Sequence, residues 1–353
     1  MVASWWKTRN EAMEPANKLG QRLQILPDLK SLIIHLKYLF SVVLFAEFIR
    51  GKKAQKSQMG KSGSKPETSS GELDNPWRTF NWREKKELKK RLENFHLSNP
   101  EVSHVRILVA GQIGAGKSSF INSVCSAFQG EIVCEALADT SQSASSHSFT
   151  ERMKVYRIRS GDADLPFEMC DVKGLEPEKI SMALPEDIVN IIYGHVRDGY
   201  KFSKDKTLPK EDDHYNETPS LSDQAFCLVY VLAGDTLHLH ADDNILFEKL
   251  RFIRQSISDN GIPQVIVMTK VDEACPLVKN DLKKVYLSKK IKEKMELCSL
   301  KLGVPMSNIF PVKNYSEEID TDDNVDVLIL KAFDQIVRFA DGRLRRGAST
   351  KNS

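Results

Sequence analysis

The chain has 353 residues, 41% hydrophobic and 28% charged, a globular composition with length for about two domains. Its 51 basic and 48 acidic side chains leave a net charge of +3, too balanced for a protein that holds nucleic acid by neutralising phosphates. The six cysteines (Cys125, Cys134, Cys170, Cys227, Cys275 and Cys298) show no CxxC pair and no Cys/His run. That spacing excludes a zinc site and a disulfide framework, and fits reduced, mostly buried thiols in a cytosolic protein.

Residues 1–50 contain one strongly apolar run, Ser31–Ile49, interrupted by His35, Lys37 and Glu47. Its uncharged centre, Tyr38–Ala46, is far short of the roughly 20 residues that span a bilayer. A helix docking on the main domain or on a partner is expected there, in preference to membrane contact through residues 31–49. Gly51–Asn75 is rich in Lys, Ser and Gly with few large apolar side chains, and reads as a flexible linker. Order is expected from Pro76-Trp77, and Arg83–Phe95 places Leu88, Leu92 and Phe95 at helical spacing.

From Val105 onward strands and helices alternate, which predicts an α/β fold with a mostly parallel sheet covered by helices on both faces. The strand Val105–Ala110 runs into Gly111-Gln-Ile-Gly114-Ala115-Gly116-Lys117-Ser118, a complete G-x-x-x-x-G-K-[ST] phosphate loop, with Ser119 continuing into a helix. Glycines let the backbone N–H groups approach phosphate oxygens, and the helix N-terminus adds a positive dipole end. Lys117 would bridge the β- and γ-phosphates, and the Ser118 hydroxyl would ligate Mg²⁺. A first switch offering a threonine to the metal is expected between Ala127 and Arg152, with Thr150 preferred to Thr140 and the Ser-rich stretch Thr140–Ser148 as a mobile loop. Strand Phe167–Cys170 then leads into Asp171-Val-Lys-Gly174, where Asp171 would hold Mg²⁺ and the Gly174 amide would meet the γ-phosphate.

Strand Phe226–Ala233 and a helix over Asp243–Ser256 follow, and strand Gln264–Met268 ends in Thr269-Lys270-Val271-Asp272. A carboxylate at Asp272 accepts hydrogen bonds from N1–H and the 2-amino group of guanine. Adenine offers no matching donors, so ATP is penalised. Lys270 would lay its aliphatic stem along the base or the loop, and Thr269 stands where an Asn often sits. Asp281–Leu302 reads as one lysine-rich helix, Asn308–Val312 as the last strand, and Lys313-Asn314-Tyr315 as the loop closing over the base. Asn324–Ala340 reads as the closing helix of a domain spanning 76–341, and residues 342–353 as a disordered tail.

Three ordered motifs on successive strands resemble the G-domain GTPases, which implies a P-loop NTPase G domain binding GTP or GDP with Mg²⁺. More narrowly, VRILVAGQIGAGKSSFINSV, DVKGLE, GHVRDGYKF, SLSDQAFCLVYVLAGD, GIPQVIVMTKVDEAC and NIFPVKNY resemble the interferon-induced protein 44 family from about Asn75 to about Asp341, including the NPWR segment. The resemblance implies a cytoplasmic, interferon-responsive, antiviral or antiproliferative protein. Members commonly carry a TLDc domain N-terminal to the G domain, and this chain resembles a short form without one.

Hydrolysis is a separate question. Many hydrolysing switches place a Gln after D-x-x-G, and here Leu175 stands there, unable to hydrogen-bond to water. Slow turnover is expected, raised by self-association or a protein partner. The alternative is an interaction scaffold whose nucleotide is structural or absent. The insert between Leu175 and Ala225 reads as a functional surface or lid, His195 and His214 within it as structural or solvated, and His238 and His240 as no metal site.

Overall fold

A computed structural model describes residues 71–136, 150–176, 181–237 and 244–349. The expectations for residues 1–70, for Thr140 and the Ser-rich stretch, for His238 and His240, and for residues 350–353 lie outside the described residues.

The sheet consists of β1 (Val105–Gly111), β2 (Lys154–Ser160), β3 (Ala163–Asp171), β4 (Ala225–Ala233), β5 (Gln264–Thr269) and β6 (Ile309–Pro311) in the order β2-β3-β1-β4-β5-β6. Only the β2–β3 pair is antiparallel; β3, β1, β4, β5 and β6 run parallel. Every residue of β4 is buried, as a continuous apolar run in a sheet covered on both faces requires. This order, with helices on both faces, is the P-loop G-domain architecture.

Helices α1 (Lys85–Glu93), α2 (Lys117–Gln129) and α8 (Asp323–Ser349) pack together on one face. The other carries α3 (Ala183–Ile192), α4 (Asn244–Ser258) and α7 (Lys289–Leu302); short helices α5 (Val271–Ala274) and α6 (Pro276–Asn280) follow β5. Phe167 of β3, Phe128 of α2 and Phe333 of α8 meet edge to face, with Phe333 centroids 5.5 and 5.9 Å from the other two. Charges fasten α1 to α8: Lys85 to Asp323 (2.7 Å) and Asp326 (2.7 Å), Arg91 to Asp334 (2.9 Å), and Lys331 to Glu84 (2.7 Å). The lead-in helix is therefore part of the domain.

Three boundaries differ from expectation. Gly71–Asn75, expected in the linker, belongs with the domain, because it pairs with the chain around the start of α7: Leu73 N–H donates to Leu287 O (2.8 Å) and Lys289 N–H to Gly71 O (2.9 Å). Asp281–Leu302 is not one helix. Asp281 caps a 3₁₀ turn over Leu282–Tyr286, and Ser288 caps a new helix by accepting from Ile291 N–H (3.2 Å). Residues 342–349, expected in a disordered tail, continue α8, since Leu344 extends the buried stripe Ile336, Val337, Ala340.

The insert after α3 is packed rather than loose. Its segment Arg197–Phe202 runs beside residues 151–155, with Met153 N–H donating to Tyr200 O (2.9 Å) and Phe202 N–H to Glu151 O (3.0 Å). His195 contacts Asn216 O (2.9 Å) and stacks on Tyr215, and His214 pairs with Asp212 (3.0 Å). At its base the fully buried Asp187 accepts from Leu208 N–H (2.7 Å) and the Tyr200 hydroxyl (3.0 Å). Burial pushes the Asp187 carboxyl up to about 6, against the opposing effect of those two donors. A folded-state pKa above the unfolded value means the folded protein binds the extra proton. Stability from this group is thus full below about pH 4, declines as pH rises to about 6 and is flat beyond, a loss of up to about 3 kcal/mol. Urea denaturation from pH 4 to 7 should show that decline in the parent and not in Asp187→Asn; equal slopes would assign the pH dependence elsewhere.

Candidate functional site

The site forms at the carboxyl ends of the parallel strands, where adjacent strands and the loops leaving them converge. Parallel register brings the motifs level: Val109 of β1 lies opposite Asp171 of β3, Gly111 opposite Val231 of β4, and Ala233 of β4 opposite Thr269 of β5.

β1 ends at Gly111, Gly114 and Gly116 adopt left-handed backbone, and α2 starts at Lys117. The N–H groups of the first α2 turn, Lys117, Ser118 and Ser119, have no carbonyl ahead of them in the helix, which is the arrangement that receives an anion. Lys117 is nearly buried, and its Nζ donates to Gln112 O (3.2 Å) across the loop.

The three residues expected around a metal come together. Ser118 Oγ donates to Asp171 Oδ2 (2.6 Å), and Thr150 Oγ1 lies 3.4 Å from the same oxygen and 3.5 Å from Ser118 Oγ. Asp171 is 1% exposed, and its other oxygen, Oδ1, is buried without a hydrogen-bond partner. Burial raises its pKa, while the Lys117 charge and the Ser118 and Thr150 hydroxyls oppose that rise. Two hydroxyls and a buried carboxylate with an unsatisfied oxygen are hard oxygen donors of the kind Mg²⁺ takes, so the residues fit that ion. A divalent cation bound there would neutralise charge on the β- and γ-phosphates.

Beyond Asp171 the chain closes onto the phosphate loop. Leu175 N–H donates to Gly111 O (2.8 Å) and Ile113 N–H to Leu175 O (3.2 Å), forming a parallel bridge. Gly174 lies against Ile113 so closely that a Cβ on it would fall 2.7 Å from Ile113 Cα. The Leu175 side chain is buried, and Lys249 of α4 donates to Glu176 O (2.8 Å).

At the end of β5, Thr269 is fully buried and its Oγ1 donates to Ala115 O (2.6 Å). Asn314 Nδ2 donates to Gly116 O (2.9 Å), and Asn314 Oδ1 is buried without a partner. Two side chains, one at the end of β5 and one in the loop beyond β6, thus tie these segments to the phosphate loop. Lys270 adopts φ 54°, an uncommon conformation for a residue with a Cβ, and caps α5, whose first turn contains Asp272.

Several residues around this site were not singled out in the sequence. Asn122 on α2 grips Ala136 through two hydrogen bonds of 2.8 Å, fixing the chain at the end of the segment that follows α2. A polar residue amid the apolar positions of α2 was the signal available. Asp235, two residues beyond the end of β4, approaches Lys270 at 3.8 Å. Lys313, already placed in the closing loop, lies 3.8 Å from Asp272, a pairing with no local sequence signal.

No family model matches the chain. It is 34% identical over 259 residues to interferon-induced protein 44 of Homo sapiens, covering 73% of this chain and 57% of that protein. It is 32% identical over 245 residues to human interferon-induced protein 44-like, covering 68% of this chain and 52% of that protein. The chain thus spans about half the length of these curated relatives. Among solved structures, Toc33 from Arabidopsis thaliana in complex with GDP and Mg²⁺ is similar over 73% of this chain and 91% of that one, at 15% identity and a TM-score of 0.41. Among the described residues, no helix is long and apolar enough to cross a membrane.

Proposed function

Since the chain belongs to the interferon-induced protein 44 family, we propose that it is a Mg²⁺-dependent guanine-nucleotide switch, a slow GTPase acting in the cytoplasm in the interferon-induced antiviral response. One observation carries the nucleotide reading. Lys117, Ser118, Thr150 and Asp171 cluster at the phosphate loop, and Thr269 and Asn314 hold the loops that bear Asp272 to that same phosphate loop. A protein with no nucleotide has no use for a buried lysine, an unsatisfied buried carboxylate oxygen and a carboxylate after β5 in that arrangement.

Each group has a distinct task. Lys117 and the α2 N–H groups hold phosphate oxygens; Ser118, Thr150 and Asp171 hold the metal; and Asp272 accepts from the guanine edge. Slow turnover follows from Leu175, which offers a buried hydrocarbon where many switches offer a water-orienting amide. The same burial favours a second reading, an interaction scaffold that binds GTP without hydrolysing it.

Competition against a fluorescent GTP analogue in Mg²⁺ tests the proposal. GTP and GDP should displace it, and ATP should be weaker by about 100-fold or more, because adenine offers the Asp272 carboxylate no hydrogen-bond donor. Asp272→Asn should lose a similar factor for GTP and gain binding of xanthosine triphosphate, whose 2-oxo group accepts from the new amide. A folded sample without saturable binding would remove the switch reading.

A further inference from the structure

The base-reading carboxylate is not isolated. Lys313, two residues beyond the end of β6, reaches Asp272 Oδ2 at 3.8 Å and Glu318 Oε1 at 2.8 Å, so one ammonium lies between two carboxylates. All three side chains are about one quarter exposed, which limits solvent screening. Glu318 is itself fixed by its own turn, where its Oε2 accepts from Ser316 N–H (2.8 Å) and Glu317 N–H (3.2 Å). Burial alone would raise Glu318, yet Lys313 and the backbone donors bring it down to about 2; burial likewise opposes the Lys313 charge, but Glu318 and Asp272 hold that lysine above its ordinary range. The chain of restraint therefore runs from a backbone turn to Glu318, from Glu318 to Lys313, and from Lys313 to Asp272.

We infer that Lys313 and Glu318 are positioning residues for base selectivity, holding Asp272 in the orientation that accepts from both N1–H and the 2-amino group of guanine. The inference rests on the guanine reading above. Neither side chain need touch the nucleotide. A carboxylate oxygen has two lone-pair directions, so Oδ2 can face Lys313 and still accept from the base. Without the cation, Asp272 faces Glu318 as a like charge and loses its preferred orientation.

Inosine triphosphate lacks the 2-amino group, so the ratio of GTP to ITP affinity reports the second hydrogen bond alone. A charged hydrogen bond makes that ratio about 10 to 100 in the parent protein. Lys313→Met should reduce it to below about 3, through a larger loss for GTP than for ITP, and Glu318→Gln should give an intermediate ratio. In an Asp272→Asn background, Lys313→Met should leave the ratio where Asp272→Asn put it. Because the ratio does not depend on the fraction of folded protein, it separates positioning from general damage. An unchanged ratio in Lys313→Met, or equal weakening of GTP and ITP, would overturn the inference while leaving guanine binding intact. Absence of GTP binding by the parent protein would overturn the guanine reading and this inference together.

Discussion

Lys117→Ala should lower GTP affinity by at least about 100-fold, the loss expected when one partner of a buried, hydrogen-bonded charge pair is truncated. Lys117 is 6% exposed at the start of α2, and its Nζ spans the phosphate loop to Gln112 O (3.2 Å). Its charge also opposes the burial that raises Asp171. Alanine therefore removes the phosphate cation and leaves Asp171 with a pKa raised further. A carboxyl raised in the folded state loses stability as pH rises above the unfolded value, so the nucleotide-free variant should also show a steeper decline in stability with rising pH than the parent. Fluorescence titration reads the first effect and urea denaturation across pH the second. GTP affinity within threefold of the parent would place Lys117 outside the phosphate site.

What the sequence made legible is what lies close together along the chain. The phosphate loop, the strand before it and the helix after it form one local unit, so spacing alone predicted both β1 and α2. Asp171 and Thr269-Lys270-Val271-Asp272 were readable because each ends a recognisable strand, and parallel register then brings strand ends to one level. Contacts between distant segments were not readable. Asp272 and Lys313 meet because β5 and β6 are neighbours, and no local pattern encodes an ion pair between loops that follow different strands. Thr269 shows the same limit: its replacement of an Asn was visible, but the second clasp from Asn314 to Gly116 O required the fold. The break inside Asp281–Leu302 was missed because lysine-rich helical periodicity continues through it. Its signals were the two caps, Asp281 and Ser288, residue types that begin turns as readily as they decorate helix surfaces.

Gly111→Ala should destabilise the domain by roughly 3 kcal/mol or more, enough to lower Tm by about 10 °C in a domain of this size. The reason is backbone against backbone. Gly111 has φ 153° and pairs with Val231, and a Cβ there would fall 2.1 Å from Val231 O and 3.0 Å from its carbonyl carbon. β4 is buried along its whole length between β1 and β5, so it cannot retreat without breaking ladder hydrogen bonds on its far side. Nor can Gly111 move freely the other way, because its carbonyl accepts from Leu175 N–H (2.8 Å). The strain thus falls on the central strand pair and on the contact between the phosphate loop and the segment after Asp171. Gly114→Ala is the control in the same loop: nothing lies within 4 Å of its added Cβ, and only the left-handed φ of 69° is penalised, at about 1 kcal/mol. Thermal and urea unfolding of the two variants separate close approach from backbone preference. Equal destabilisation would mean that phosphate-loop conformation, rather than the β1–β4 contact, demands glycine at 111.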